Sequence, residues 1–152
     1  MALLKLRNNL DDLSTLERWV REFAEQHGMA ERDQYAVNLV LVELFANVIA
    51  HGHDDRDEHE IVIRMSIVGR DLHIEFEDDG REFNPVDAPA PDLDVPLGER
   101  PVGGLGIHLV KWFADRIDHR GRNGRNMLAL VKKEVVAAGA SGPGPCPSRD
   151  AG

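Results

Sequence analysis

Apolar positions recur along this chain at changing periods, and the changes divide it into elements. Ala2 to Arg7 is a short apolar and basic run that reads as an edge strand, and Asn8-Asn9 with Asp11, Asp12 and Ser14 supply helix-start chemistry behind it. From Leu13 to His27 the set Leu13, Leu16, Trp19, Val20 and Phe23 returns at threes and fours, with Gly28 where a helix stop belongs. A second helix is expected from near Glu31 to Gly52. Between Tyr35 and Ala50 it is apolar on every side, apart from Glu43, Asn47 and His51, whose spacing of four puts them on one face. Such a helix is expected to be buried, so its carboxylate, amide and imidazole need partners or a cleft. Period two follows: Ile61, Ile63, Met65 and Ile67 alternate with polar residues, Gly69-Arg70-Asp71 turns the chain, and Leu72, Ile74 and Phe76 alternate again. This predicts a hairpin with one buried face.

The pattern then lapses. Arg81 to Val102 carries Pro85, Pro89, Pro91, Pro96 and Pro101, and a structureless stretch of roughly 20 residues inside a domain predicts a functional lid or binding loop. Gly103 to Gly106 lead into a helical segment, Ile107 to Ala114. Strands near Arg116 to His119 and Asn126 to Lys132 are joined by the turn residues Gly121 to Gly124. The ordered domain is placed at 1–134, and a Gly/Pro-rich disordered tail at 135–152.

Composition narrows the classes. A length of 152 residues with 42% hydrophobic composition suits one domain with a single core. A net charge of -9, from 27 acidic and 18 basic residues, argues against a nucleic-acid partner, because phosphate neutralisation needs clustered Lys and Arg. Cys146 is the single cysteine, so no intrachain disulfide can form and a thiolate zinc site is excluded in practice. The run His53 to Glu60 holds carboxylates and histidines without regular ligand spacing. No signal-peptide pattern or membrane-length apolar run is evident, and a soluble, cytoplasmic protein without a membrane partner is expected.

Three constellations carry candidate chemistry. Glu43 and Asn47 sit on the apolar helix, where the plainer reading is a buried polar network. Asp78-Asp79-Gly80 closes the second hairpin strand. It is ordinary turn chemistry, or a carboxylate presented into a pocket to accept from an exocyclic amine. Gly103-Gly104-Leu105-Gly106 precedes a helix, where backbone N–H groups can converge on an anion, or where the chain simply enters a helix. The last spacing is neither a P-loop nor a dinucleotide fingerprint.

In order along the chain these motifs resemble the GHKL (Bergerat-fold) ATPases, and within them the stand-alone anti-sigma-factor serine kinases of bacterial partner switching. ELFANVIAHG is similar to the N box, EDDGREFNP to the first glycine box, GGLGIHLVK to the second, and GRNML to the last strand motif. The resemblance spans residues 5–133. It implies an α+β two-layer sandwich, with a mixed, mostly antiparallel sheet covered on one face by helices. It also implies Glu43 as general base, Asn47 as Mg²⁺ ligand, and Asp78 with Gly80 at the adenine of ATP. Gly103, Gly104, Gly106 and Arg100 would lie at the phosphates, and Asn126 where relatives often place a Thr near adenine. Glu82 departs from the second glycine of the first box, and His51, at the helix end, is left out of the catalytic set. The partners implied are a STAS-domain anti-sigma-factor antagonist, phosphorylated on serine, a sigma factor, and a second copy in a homodimer. The rival class is a non-catalytic module that uses ATP only to order a binding surface. The ATPase half of a histidine kinase is disfavoured, since no phosphoacceptor helix pair precedes the motifs.

Overall fold

A computed structural model describes residues 1–51, 58–80 and 104–137. Strand β1 (Ala2–Arg7) leads through a single 3-10 turn into α1 (Leu13–His27) and α2 (Glu31–His51). The hairpin β2 (Glu60–Val68) and β3 (Asp71–Asp78) follows, then α3 (Gly104–Phe113), β4 (Arg116–Arg122) and β5 (Arg125–Lys132). The five strands form one sheet in the order β1-β2-β3-β5-β4, and every pairing among them is antiparallel. With helices over one face, this is the expected α+β architecture, although among the described strands the sheet is antiparallel throughout rather than mixed, and β1 is the edge strand anticipated from its sequence.

Local chemistry sets the boundaries. Gly28 closes α1 in the left-handed region (φ 68°), its N–H returning to Glu25 and that of Met29 to Ala24. Asp12, expected to start α1, makes no side-chain cap there; its Oδ2 accepts the Arg7 N–H at 2.8 Å and closes the end of β1 instead. Asn123 and Gly124 both have positive φ (53° and 76°), the signature of a two-residue I′ turn. That turn needs strand pairing right up to it, so β4 continues to Arg122 rather than stopping at His119.

The core lies between sheet and helices. Ile61, Ile63, Met65, Leu72, Ile74, Phe76, Leu128 and Leu130 from the strands meet Leu16, Val20 and Phe23 of α1, Val37, Val40, Leu41, Leu44, Phe45 and Val48 of α2, and Val110 and Phe113 of α3. Helix α2 runs between α1 and α3. By length and composition Glu31–Ala50 could cross a membrane, but one side of it packs against this core. The other side corrects the expectation of all-round burial: Tyr35 is 71% exposed, Arg32 and Ala50 are exposed, and Leu39, Val42 and Ala46 are half-buried. Apolar composition allows burial without enforcing it.

A second correction concerns the tail. Val135 and Val136 are buried in the core, and Val136 bridges to Met29. Arg70 holds this strap: its carbonyl accepts the Val135 N–H at 2.9 Å, and its Nε donates to the Val136 carbonyl at 2.9 Å. The packed body therefore reaches two residues past the expected limit at 134. Residues 138–152, with Cys146, lie outside the described residues.

Candidate functional site

Alternation places the first site residue. On β3, Leu72, Ile74 and Phe76 face the helices, and the next residue of that parity is Asp78. On β5 the same face carries Leu130, Leu128 and then Asn126. Register sets Asp78 directly opposite Asn126, and both are 8% exposed, the only two polar residues buried to this degree among the described residues. Two polar side chains thus occupy the last row of an otherwise apolar face, where burial demands hydrogen bonds.

Gly80 links them. Asp78 Oδ2 accepts the Gly80 N–H at 2.9 Å, an Asx-type turn, and Asn126 Nδ2 donates to the Gly80 carbonyl at 3.0 Å. The three expected residues Asp78, Gly80 and Asn126 are therefore one hydrogen-bonded unit at the end of the sheet. Next to it, His59 Nδ1 lies 3.1 Å from Asp79 Oδ2, while the His59 N–H donates to Asn8 Oδ1 and its carbonyl accepts the Asn8 N–H, so the turn is also tied to the end of β1.

Glu43 and Asn47 lie one turn apart on α2, half-buried, at the margin between its core face and its outer face. A marginal position lets a carboxylate and an amide stay partly solvated, which suits chemistry better than full burial would. Gly104 is the first residue of α3 and Gly106 the third, so the helix starts before the apolar segment at Ile107. Both glycines thus contribute N–H groups of the first turn, which have no partner within the helix. Arg100, Gly103, Glu82 and the proline-rich segment lie outside the described residues, as does most of the acidic run after α2; the His51 side chain is likewise not described.

Among the described residues no group of three or more His, Cys, Asp or Glu could hold a metal. Mg²⁺ in nucleotide sites is held by one or two protein oxygens together with phosphates and water, and a lone Asn47 fits that donor set.

Sequence reasoning missed one group. On the uncovered face of the sheet, Glu77 accepts from Arg125 Nε at 2.6 Å and from Arg64 Nη1 at 3.0 Å. Burial pushes the Glu77 carboxyl up, but the hydrogen bonds and charges of Arg125 and Arg64 outweigh it and hold the pKa below its ordinary value. The acidic residues on the polar parity of β3, Asp71, Glu75 and Glu77, flanked by Arg64 on β2 and Arg125 on β5, were the available signal.

The fold and the buried carboxylate-amide pair define an α+β sandwich with a polar site at one sheet end. A family model described as the histidine kinase-like ATPase domain matches residues 6–132, and the chain belongs to that family, within the GHKL superfamily. It is 23% identical over 113 residues to the serine/threonine-protein kinase BtrW of Bordetella bronchiseptica, covering 74% of this chain and 80% of that one. It is 26% identical over 102 residues to the anti-sigma F factor of Clostridium novyi, covering 66% and 71%. The structure of the RsbU and RsbW domains of Rv1364c from Mycobacterium tuberculosis superposes with a TM-score of 0.61 at 14% identity. That match covers 88% of this chain but only 32% of the mycobacterial one, so the likeness is one of fold.

Proposed function

We propose that this protein is a cytoplasmic serine protein kinase that binds Mg-ATP and phosphorylates a STAS-domain anti-sigma-factor antagonist. In the same reading it sequesters a sigma factor or a comparable regulator, and works as a homodimer. The observation that carries the reading is the Asp78–Gly80–Asn126 unit, a buried carboxylate and amide at the sheet end of a histidine kinase-like ATPase domain. Similarity to a serine/threonine kinase and to an anti-sigma factor supports both halves of the proposal.

Each residue then has a task. Asp78 accepts a hydrogen bond from the exocyclic amine of adenine, while Asn126 keeps the Gly80 backbone in place beside it. The first-turn N–H groups at Gly104 and Gly106, with Gly103 and Arg100 ahead of them, bind phosphate oxygens. Asn47 supplies the protein oxygen for Mg²⁺, which when bound neutralises phosphate charge. Glu43 takes the proton from the attacking serine hydroxyl as its oxygen bonds to the γ-phosphorus and the bond to the β-phosphate oxygen breaks, releasing ADP.

The test is direct. Incubation with Mg-ATP and a STAS-domain partner is expected to add about 80 Da, one phosphoryl group, to the partner. Glu43→Ala is expected to slow that transfer about 10²- to 10⁴-fold, the usual contribution of a general base, while leaving ATP binding largely intact. Binding without transfer by the wild type would favour the non-catalytic module, and a wild-type rate in Glu43→Ala would remove Glu43 as base.

A further inference from the structure

Behind the Asp78–Asn126 pair, on the uncovered face of the sheet, lies the Glu77 network. Parity explains its position, since Glu77 and Arg125 are the chain neighbours of Asp78 and Asn126 and so point to the opposite face. Asp78 pairs with Asn126 and Glu77 with Met127. The 2.6 Å bridge therefore runs diagonally beneath the pair, joining the residue before Asp78 to the residue before Asn126. Arg64 takes the other carboxylate oxygen at 3.0 Å and ties the same point of β3 to β2. One carboxylate thus fastens the central strand on both sides.

The location matters because β3 ends at Asp78 and β5 begins at Arg125. Strand ends open more readily than strand middles. Opening here would separate Asp78 from Asn126 and release the Gly80 carbonyl that Asn126 holds. The bridge is shielded enough to resist this, since the Glu77 side chain is only 16% exposed and both its oxygens are engaged.

We infer that Glu77 and Arg125, backed by Arg64, form a positioning clamp that keeps Asp78 and Asn126 in register for the purine ring, so that nucleotide affinity depends on a charge pair that never touches the nucleotide. The inference rests on the reading of Asp78 as the adenine contact. It differs from ordinary sheet stabilisation because its effect passes through Asp78.

The experiment is equilibrium titration with a fluorescent ATP analogue and Mg²⁺, alongside thermal unfolding of each variant. Glu77→Gln and Arg125→Gln are each expected to weaken binding about five- to ten-fold at temperatures where both remain folded, with the double variant no worse than the weaker single. Arg125→Lys is expected to recover part of the loss. In an Asp78→Asn background, Glu77→Gln is expected to add nothing. Wild-type affinity in Glu77→Gln, or a full additional loss on top of Asp78→Asn, would overturn the clamp while leaving the adenine reading standing. If Asp78→Asn itself binds like the wild type, the adenine reading fails, and the clamp fails with it. Should Glu77→Gln not fold, Arg125→Gln probes the same bridge from its more exposed end with the same two outcomes.

Discussion

Asp78 is a carboxylate at a position where alternation along β3 calls for an apolar side chain, and it is kept there by the Gly80 N–H and the strand beside it. Replacing it with Asn preserves shape but removes a carboxylate acceptor. The proposed site predicts that Asp78→Asn weakens ATP binding by about 1.5–3 kcal/mol, the range for hydrogen bonds to charged groups, without unfolding the protein. Calorimetric titration would read the loss. Two other carboxylates contribute to the acid limit of stability. Burial opposes Glu77 ionisation but its two arginines prevail, while the Lys133 N–H on Asp115, followed by Lys132 and Lys133 themselves, lowers that carboxyl. Both are depressed on folding, so their stabilisation is complete above the ordinary carboxylate range and is lost as pH falls through the folded values. Stability should therefore decline below about pH 5, where unfolded-chain carboxylates begin to bind protons. Glu77→Gln should flatten that acid limb in urea titrations run across pH, and an unchanged limb would refute the assignment.

Among the elements, the β4–β5 hairpin is fixed by two consecutive left-handed residues. Gly124 has φ 76° and open space around a would-be Cβ, so Gly124→Ala is a pure backbone penalty, expected to cost about 1–2 kcal/mol. A shift of the urea midpoint at unchanged slope would measure it. Helix α2 is packed along one side only. Its core face is dense, with Leu41 and Phe45 fully buried, while Glu43 and Asn47 occupy the margin. Leu41→Ala is expected to cost about 2–5 kcal/mol through lost burial and a cavity. Glu43→Ala, on the margin, is expected to cost less than about 1 kcal/mol. A similar loss from both would mean that Glu43 is part of the core and not of the proposed site.

Across the whole molecule, the sheet is closed onto the helices by its last described residues. Val135 and Val136 fill the core beside the β2–β3 turn, and the strap reaches Met29 between the two long helices. Val136→Asp would place a charge in that contact. It is expected to destabilise the fold by about 3 kcal/mol or more. Denaturant unfolding of Val136→Asp beside the wild type measures the loss. Most of the element order was legible in the chain, because periods of two and of three to four, punctuated by Gly28, Gly69 and Gly124, are local properties that each segment carries with it. The motifs bearing Glu43, Asn47, Asp78 and the glycines were legible for the same reason. Other features needed contacts between residues far apart: the pairing of Asp78 with Asn126, the Glu77 bridge beneath it, the open outer side of α2 and the burial of Val135 and Val136. Register, burial and charge pairing belong to two segments at once, so tertiary structure alone decided them.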